Sequence, residues 1–259
     1  MTSSQIITKF IKNIYMKKRN ILFTLCFLSV IFTKAQESPV GMKDEFNTVS
    51  KYTSRSQTGF EGLQGYSSGQ AIGSQFFWPN WSKGQVVTIN NDTIKNNYLF
   101  LYDKVRQEVF IKVKDTNLVL LADKGQIASF TLFTDKRHFF VPASKYDKSK
   151  KDIFYEVLAK SDSGYALLKL ITTKFIKADK TNIEKAKNGE FDDEFVDEIT
   201  YYISYKSGIP QKIKLNERSI TKQFPAIAKV VNDYFYYHRD QEINDSLLID
   251  LFNTINGQP

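Results

Sequence analysis

From Phe76 onward the chain alternates short apolar, β-branched and aromatic runs with clusters of turn residues. This is the pattern of strands in an antiparallel sheet. The runs predict strands near 84–90, 94–102, 108–114, 118–122, 126–133, 138–141, 153–160, 165–176, 198–205 and 211–215. Val109-Phe110-Ile111-Lys112-Val113-Lys114 ends in an apolar–cationic alternation, as a half-buried strand does. The connectors Asn90-Asn91-Asp92, Asp123-Lys124-Gly125 and Asp162-Ser163-Gly164 supply residues that tolerate positive φ. No helical period separates the early strands, which argues against a doubly wound parallel sheet.

Two regions break the alternation. Residues 179–197 are polar and charged, with Asp192-Asp193-Glu194 between Phe191 and Phe195, and read as a long exposed excursion between two strands. From about residue 217 the period becomes helical. Ser219 is a candidate cap for a short helix, and Pro225 suits the first turn of a second. Ile227, Val230, Val231, Tyr234 and Phe235 make its stripe. Asn244 caps a third segment with Leu247, Leu248, Leu251, Phe252 and Ile255 on one face, ended by Gly257. Stripes of this spacing are more often core than partner grooves. The expected fold is therefore mainly β (α+β): one domain over 76–259, an antiparallel β-meander forming a strongly curved sheet or partial barrel. Two or three C-terminal helices pack on it.

The N-terminus has a different texture. Met16-Lys17-Lys18-Arg19-Asn20 is a basic segment, 21–32 a mostly apolar run, and Thr33-Lys34-Ala35 a small-residue cleavage pattern. Residues 1–35 thus read as a secretory signal peptide, with Met16 an alternative start giving a leader of ordinary length. The apolar run is shorter than the roughly 20 residues a membrane-spanning helix needs. Residues 36–75, rich in Gly, Ser, Gln and Thr, read as a flexible arm.

Removing the leader changes the charge. The full chain carries 36 basic and 28 acidic residues, net +8. Lys9, Lys12, Lys17, Lys18, Arg19 and Lys34 lie in the leader, which leaves 30 against 28, or +2. Nucleic-acid binding, which wants a basic domain with clustered cations, loses its support. The only cysteine, Cys26, is also in the leader, so the mature chain has no disulfide, thiolate nucleophile or thiolate ligand. The residues before Cys26 lack the small residue of a lipidation site.

Candidate chemistry is sparse. Gly65-Tyr66-Ser67-Ser68-Gly69 matches a nucleophile-elbow pattern, but a glycine-rich arm precedes Ser67 where that chemistry needs a strand. The histidines are only His138 and His238. No metal-site or phosphate-loop spacing occurs, and Asp192-Asp193-Glu194 reads as a solvated charge run. No catalytic residue, metal or cofactor is assigned. The aromatic content of 14% is the positive anomaly. Trp78 and Trp81, with Phe77 and Tyr102, are the candidate binding residues, whether for stacking on a sugar or anchoring a protein. Burial of at least one tryptophan is the competing reading. Tyr201 and Tyr202, adjacent on a strand, cannot both face one core.

The Thr33-Lys34-Ala35-Gln36 leader end resembles those of exported Bacteroidota proteins. Gly73-Ser74-Gln75-Phe76-Phe77, Trp81-x-x-Gly84-x-Val86, Leu101-Tyr102-Asp103, Phe154-Tyr155-Glu156-Val157-Leu158 and the 174–180 segment resemble an uncharacterised group of secreted proteins from that phylum. The likeness spans roughly 70–255 by its pattern of strands and turns, and carries no activity or catalytic residues. Asp92-Thr93-Ile94 and Asp245-Ser246-Leu247 look like O-glycosylation tripeptides of that phylum, with Thr93 and Ser246 the acceptors. The expected protein is exported, periplasmic or outer membrane-associated, without a transmembrane helix in its mature chain. Its expected role is a non-enzymatic accessory that binds another envelope protein. A lipid or acyl-chain carrier, a glycan-binding module and, last, a hydrolase using Ser67 are the alternatives.

Overall fold

The computed structural model describes residues 49–58, 71–178 and 192–257, all within the unit that runs from Thr48 to Pro259. The leader, most of the arm with Ser67, and residues 179–191 lie outside the described residues.

Thirteen strands are described: β1 (Thr53–Thr58), β2 (Ala71–Ile72), β3 (Lys83–Thr88), β4 (Thr93–Ile94), β5 (Tyr98–Asp103), β6 (Glu108–Val113), β7 (Leu118–Ala122), β8 (Ile127–Phe133), β9 (Arg137–Pro142), β10 (Phe154–Lys160), β11 (Tyr165–Ile176), β12 (Asp193–Tyr205) and β13 (Gln211–Ile213). They form two sheets. The smaller is antiparallel, in the order β1-β7-β6-β5. The larger runs β13-β12-β11-β10-β9-β8-β3-β4, with β2 added parallel to the start of β12. The stretch from β8 to β13 is the predicted antiparallel meander, neighbour by neighbour. Among the described residues the strand path is open, with β13 at one end and β4 at the other, and no barrel closes.

Alternation and register put Phe130, Leu132, Phe140, Phe154, Leu167 and Ile203 on one face of the large sheet. That face is covered in two halves. The small sheet covers β3, β8 and β9. The buried interior between the sheets is largely aromatic: Phe130 stacks on Phe140 at 4.5 Å, and Tyr102 and Phe154 pack within 6.1 Å of one another. Three helices cover the β10–β13 half: α1 (Glu217–Gln223), α2 (Ala228–Tyr237) and α3 (Asp245–Asn256). The reverse face carries Val141, Tyr155, Ala166 and Leu168, packed with Ala143 and Tyr146 of the loop after β9. Tyr201 and Tyr202 divide as expected, Tyr201 toward the helices and Tyr202 to the reverse face against Tyr155.

Several local readings change. The strand expected over 94–102 is two strands in different sheets, because Asn96 adopts φ 62 and turns the chain between them. Of the three predicted positive-φ connectors, Asn91 alone uses one, at φ 66. At 123–125 the chain makes a 3-10 turn instead, and Asp123 Oδ1 accepts from the Gly125 N–H. Asn216, not Ser219, caps α1, while Ser219 Oγ accepts from the Lys214 N–H. Pro225 opens a short 3-10 turn that runs straight into α2. Asn244 caps α3 as read, accepting from the Leu247 N–H. Within the predicted arm, Val49 and Tyr52 are buried in the core between the sheets and β1 pairs with β7. A single Val–Tyr pair in polar surroundings makes no periodic signal.

Candidate functional site

β11 and β12 pair without a break from Tyr165↔Tyr205 to Ile176↔Glu194. Their neighbours cover much less of that length. β10 pairs with β11 only over Ala166–Lys169, and β13 pairs with β12 only at 201–203. Beyond those rungs the hairpin continues past the body of the sheet. Its far end begins at Asp193, inside the segment read from sequence as an excursion. The strand was hidden because this end buries no continuous apolar face.

A polar clamp holds the point of departure. Gln107, buried in the β5–β6 turn at φ 56, uses its whole carboxamide. Its Oε1 accepts from the Tyr102 hydroxyl at 2.7 Å and the Phe154 N–H at 3.2 Å. Its Nε2 donates to the carbonyls of Lys104 at 2.8 Å and Ile171 at 2.9 Å. The amide thus bridges β10 and β11 where their ladder parts. Beside it, buried Lys104 donates to both carboxylate oxygens of Asp197 at 2.7 Å, and Thr173 donates to the same carboxylate. Asp103 is buried in the same turn and accepts from the Val105 and Arg106 N–H groups. Burial pushes its pKa up against those bonds. Farther out, β2 pairs with the first residues of β12, and Gly73 follows at φ 80. A Cβ there would lie 2.5 Å from the Phe195 carbonyl oxygen, so only glycine lets the chain pass this close.

The clamped end is exposed and carries apolar side chains among charged ones. Ile176 is 50% and Ile199 47% exposed, with Val196 and Ile72 also exposed. The Phe175 and Phe195 rings lie 5.1 Å apart beside Ile199 on the helix-covered side of the ladder, while Ile176 and Val196 project on the reverse side. Among the described residues no strand pairs with the outer edge of β11 beyond Lys169 or of β12 between 195 and 200. Unpaired edges with exposed apolar side chains are what β-strand addition by a partner uses.

The aromatic candidates do not form one platform. Tyr102 is 1% exposed and bonded to Gln107, so it belongs to the clamp and the core. Phe77 packs edge-on to His138 at 4.8 Å and Phe140 at 5.2 Å. Trp81 packs with Leu101, Phe110 and Val119, and Trp78 is 36% exposed. Thr93 and Ser246 are exposed, but Asp245 is engaged: it accepts from Lys169 Nζ and the Tyr201 hydroxyl, both at 2.6 Å. Burial would raise the Asp245 pKa, but these bonds and the Lys169 charge outweigh it and hold it low. The same buried contact pushes the Tyr201 hydroxyl up.

Sequence reasoning missed one buried cluster. His138 Nδ1 lies 2.6 Å from Glu156 and Nε2 lies 3.1 Å from Asp135. Burial opposes protonation, but the two carboxylates prevail and the His138 pKa is raised. The acids occupy opposite ring nitrogens and so do not converge on one ion. Among the described residues no group of metal-ligating side chains is assembled, and no helix is long and apolar enough to cross a membrane. His238 accepts no catalytic geometry either: it stacks on Tyr234 at 4.0 Å and contacts its carbonyl at 2.8 Å.

No protein-family model matches the chain, and no curated protein or solved structure matches it.

Proposed function

We propose that this chain is an exported, non-enzymatic accessory protein of the cell envelope that binds another envelope protein through the far end of the β11–β12 hairpin. The observation that carries the reading is the clamped ladder itself. Gln107, the Lys104–Asp197 pair and the Gly73 crossing fix two strands whose apolar side chains face solvent. Ordering exposed apolar side chains contributes little to folding and pre-pays the entropy of docking. The resemblance to secreted Bacteroidota proteins supports export to the periplasm or outer membrane. Bulges at Val157/Ala159 and Val87/Thr88 support a strongly curved sheet that bends between its two halves.

The space between the sheets is filled by packed side chains, many of them aromatic, which weakens a lipid carrier, and burial of Tyr102 in that core removes it from a glycan platform. The test is mild-detergent capture of tagged protein from native envelopes, with Ile176→Asp/Ile199→Asp in parallel. A stoichiometric envelope protein with the wild type and none with the variant is expected. Capture of the same protein by both, or by neither, overturns the reading.

A further inference from the structure

The turn after β12, with β13 and α1 that follow it, carries a second surface of different chemistry. There the chain turns into β13 through Lys206 and Ser207, both left-handed at φ 46 and 59. The turn is fixed by Lys206 N–H to the Gly164 carbonyl, Gly208 N–H to the Tyr205 carbonyl, and Ser204 Oγ to the Gly208 carbonyl. It presents Ile209 at 70% exposure, immediately before buried Pro210. Three residues on, Lys212 begins the wall of an open depression of about 590 Å³, with Lys214, Arg218 and Lys222 as its other charged groups and no carboxylate in the lining. None of these four cations forms an ion pair among the described residues. Glu198 feels the Lys212 charge but is paired with Lys174 at 2.9 Å. Glu217 Oε1 lies 2.9 Å from the Asn232 amide nitrogen once that amide is oriented to donate, toward α2. Lys206 lies 5.1 Å from the Tyr205 ring.

We infer that this end of the domain docks on an anionic phospholipid surface, with Ile209 entering the headgroup layer and the four cations of the depression facing lipid phosphates. Gathering like charges around one concavity costs repulsion that an anionic partner relieves. The depression is shallow and open, which suits an extended surface better than an enclosed small molecule. An aliphatic side chain on a rigid turn beside lysines is the amphipathic arrangement that peripheral membrane contacts use. A soluble polyanion would have no use for Ile209. The inference does not depend on the hairpin reading: Lys212 pairs beside Tyr202, eight residues along β12 from the Ile176 rung at Glu194, or about 26 Å.

The test is co-sedimentation of the mature protein, purified after export, with vesicles of equal parts phosphatidylglycerol and phosphatidylethanolamine, against phosphatidylcholine vesicles. Binding to the anionic vesicles alone, weakened by salt, is expected. Each cation removed lowers the partition about fivefold, so K212E/R218E/K222E lowers it about 100-fold or more. Ile209→Asp lowers it at every salt concentration. Arg218→Glu alone serves if the triple variant loses its native circular dichroism. The inference is overturned by equal binding to both vesicles, by no binding, or by charge-reversal variants that still bind. It is also overturned if soluble polyphosphate binds as tightly and Ile209→Asp has no effect, which would assign the depression to a free polyanion. Ile176→Asp alone, at the Glu194 rung far from Lys212, leaves vesicle binding unchanged, so failure here and failure of the hairpin reading are separable.

Discussion

The two ends of the β11–β12 hairpin share one unbroken register and differ in nearly everything else. At the base, Leu167 and Ile203 are fully buried beneath α2 and α3, and Leu168 is fully buried on the reverse face. Asn256, the last residue of α3, binds the start of β11 on both its groups. It accepts from the Tyr165 N–H and donates to the Tyr165 carbonyl, each at 2.9 Å. At the far end the same strands show apolar side chains to solvent and are held by polar groups from β5–β6 and by β2. The base derives its order from burial. The far end derives it from hydrogen bonds and one close backbone crossing. Order that does not come from burial leaves apolar surface available to a partner.

The comparison is sharpest in substitutions of matched residues. Ile203→Ala at the base removes a fully buried side chain and is expected to cost about 3 kcal/mol in urea unfolding. Ile199→Ala at the far end is expected to fall within about 0.5 kcal/mol. A comparable loss at both would mean that the far end is buried in solution.

Gln107→Ala follows in size. It strips partners from the Phe154 N–H, the Ile171 carbonyl and the Tyr102 hydroxyl at once, and about 2–3 kcal/mol is expected. Gln107→Glu keeps the acceptor but loses the donor to Ile171, and is expected to recover little. Gly164→Ala tests the base in another way. A Cβ there would lie 2.5 Å from Asn256 Oδ1, so loss of the α3 contact is expected at about 1–2 kcal/mol.

The pH response separates two polar contacts of the sheet body. The raised His138 pKa means that the folded state holds this proton more tightly than the unfolded chain. Its stabilisation is full below the unfolded value of about 6.5 and is lost as pH rises through the raised value. Asp245 has the opposite sign: its contribution is present above about 3.9 and is lost as pH falls through its lowered pKa. Urea unfolding across pH is expected to show both slopes. Glu156→Gln shrinks the first, leaving Asp135 as the remaining acid beside His138, and Lys169→Met shrinks the second. The smallest effect belongs to the exposed Lys174–Glu198 pair at the far end, where Lys174→Ala is expected to cost under about 0.5 kcal/mol.

The base and the β11 half of the far end were legible in the amino-acid pattern, and the start of β12 was not. Strands such as 108–113, 118–122 and 165–176 announce themselves because short apolar and β-branched runs are bounded by turn residues. Residues 193–197 form strand with charges where such a run would be, so they read as loop. Gln107 and Lys104 sit in a turn, where polar residues are ordinary, and their partners lie 64 and 93 positions away. Only tertiary structure joins them. Tyr102 and Phe77 were flagged by aromatic abundance, which does not distinguish a binding surface from a core.

The central claim, that the far end is exposed yet held, is tested most directly by amide hydrogen exchange on the free protein and on Gln107→Ala. In the wild type, peptides spanning 171–176 and 193–199 are expected to stay protected well beyond unstructured rates, and Gln107→Ala is expected to release them while peptides at 165–170 and 200–205 remain protected. Far-end peptides that exchange at unstructured rates in the wild type would contradict the account.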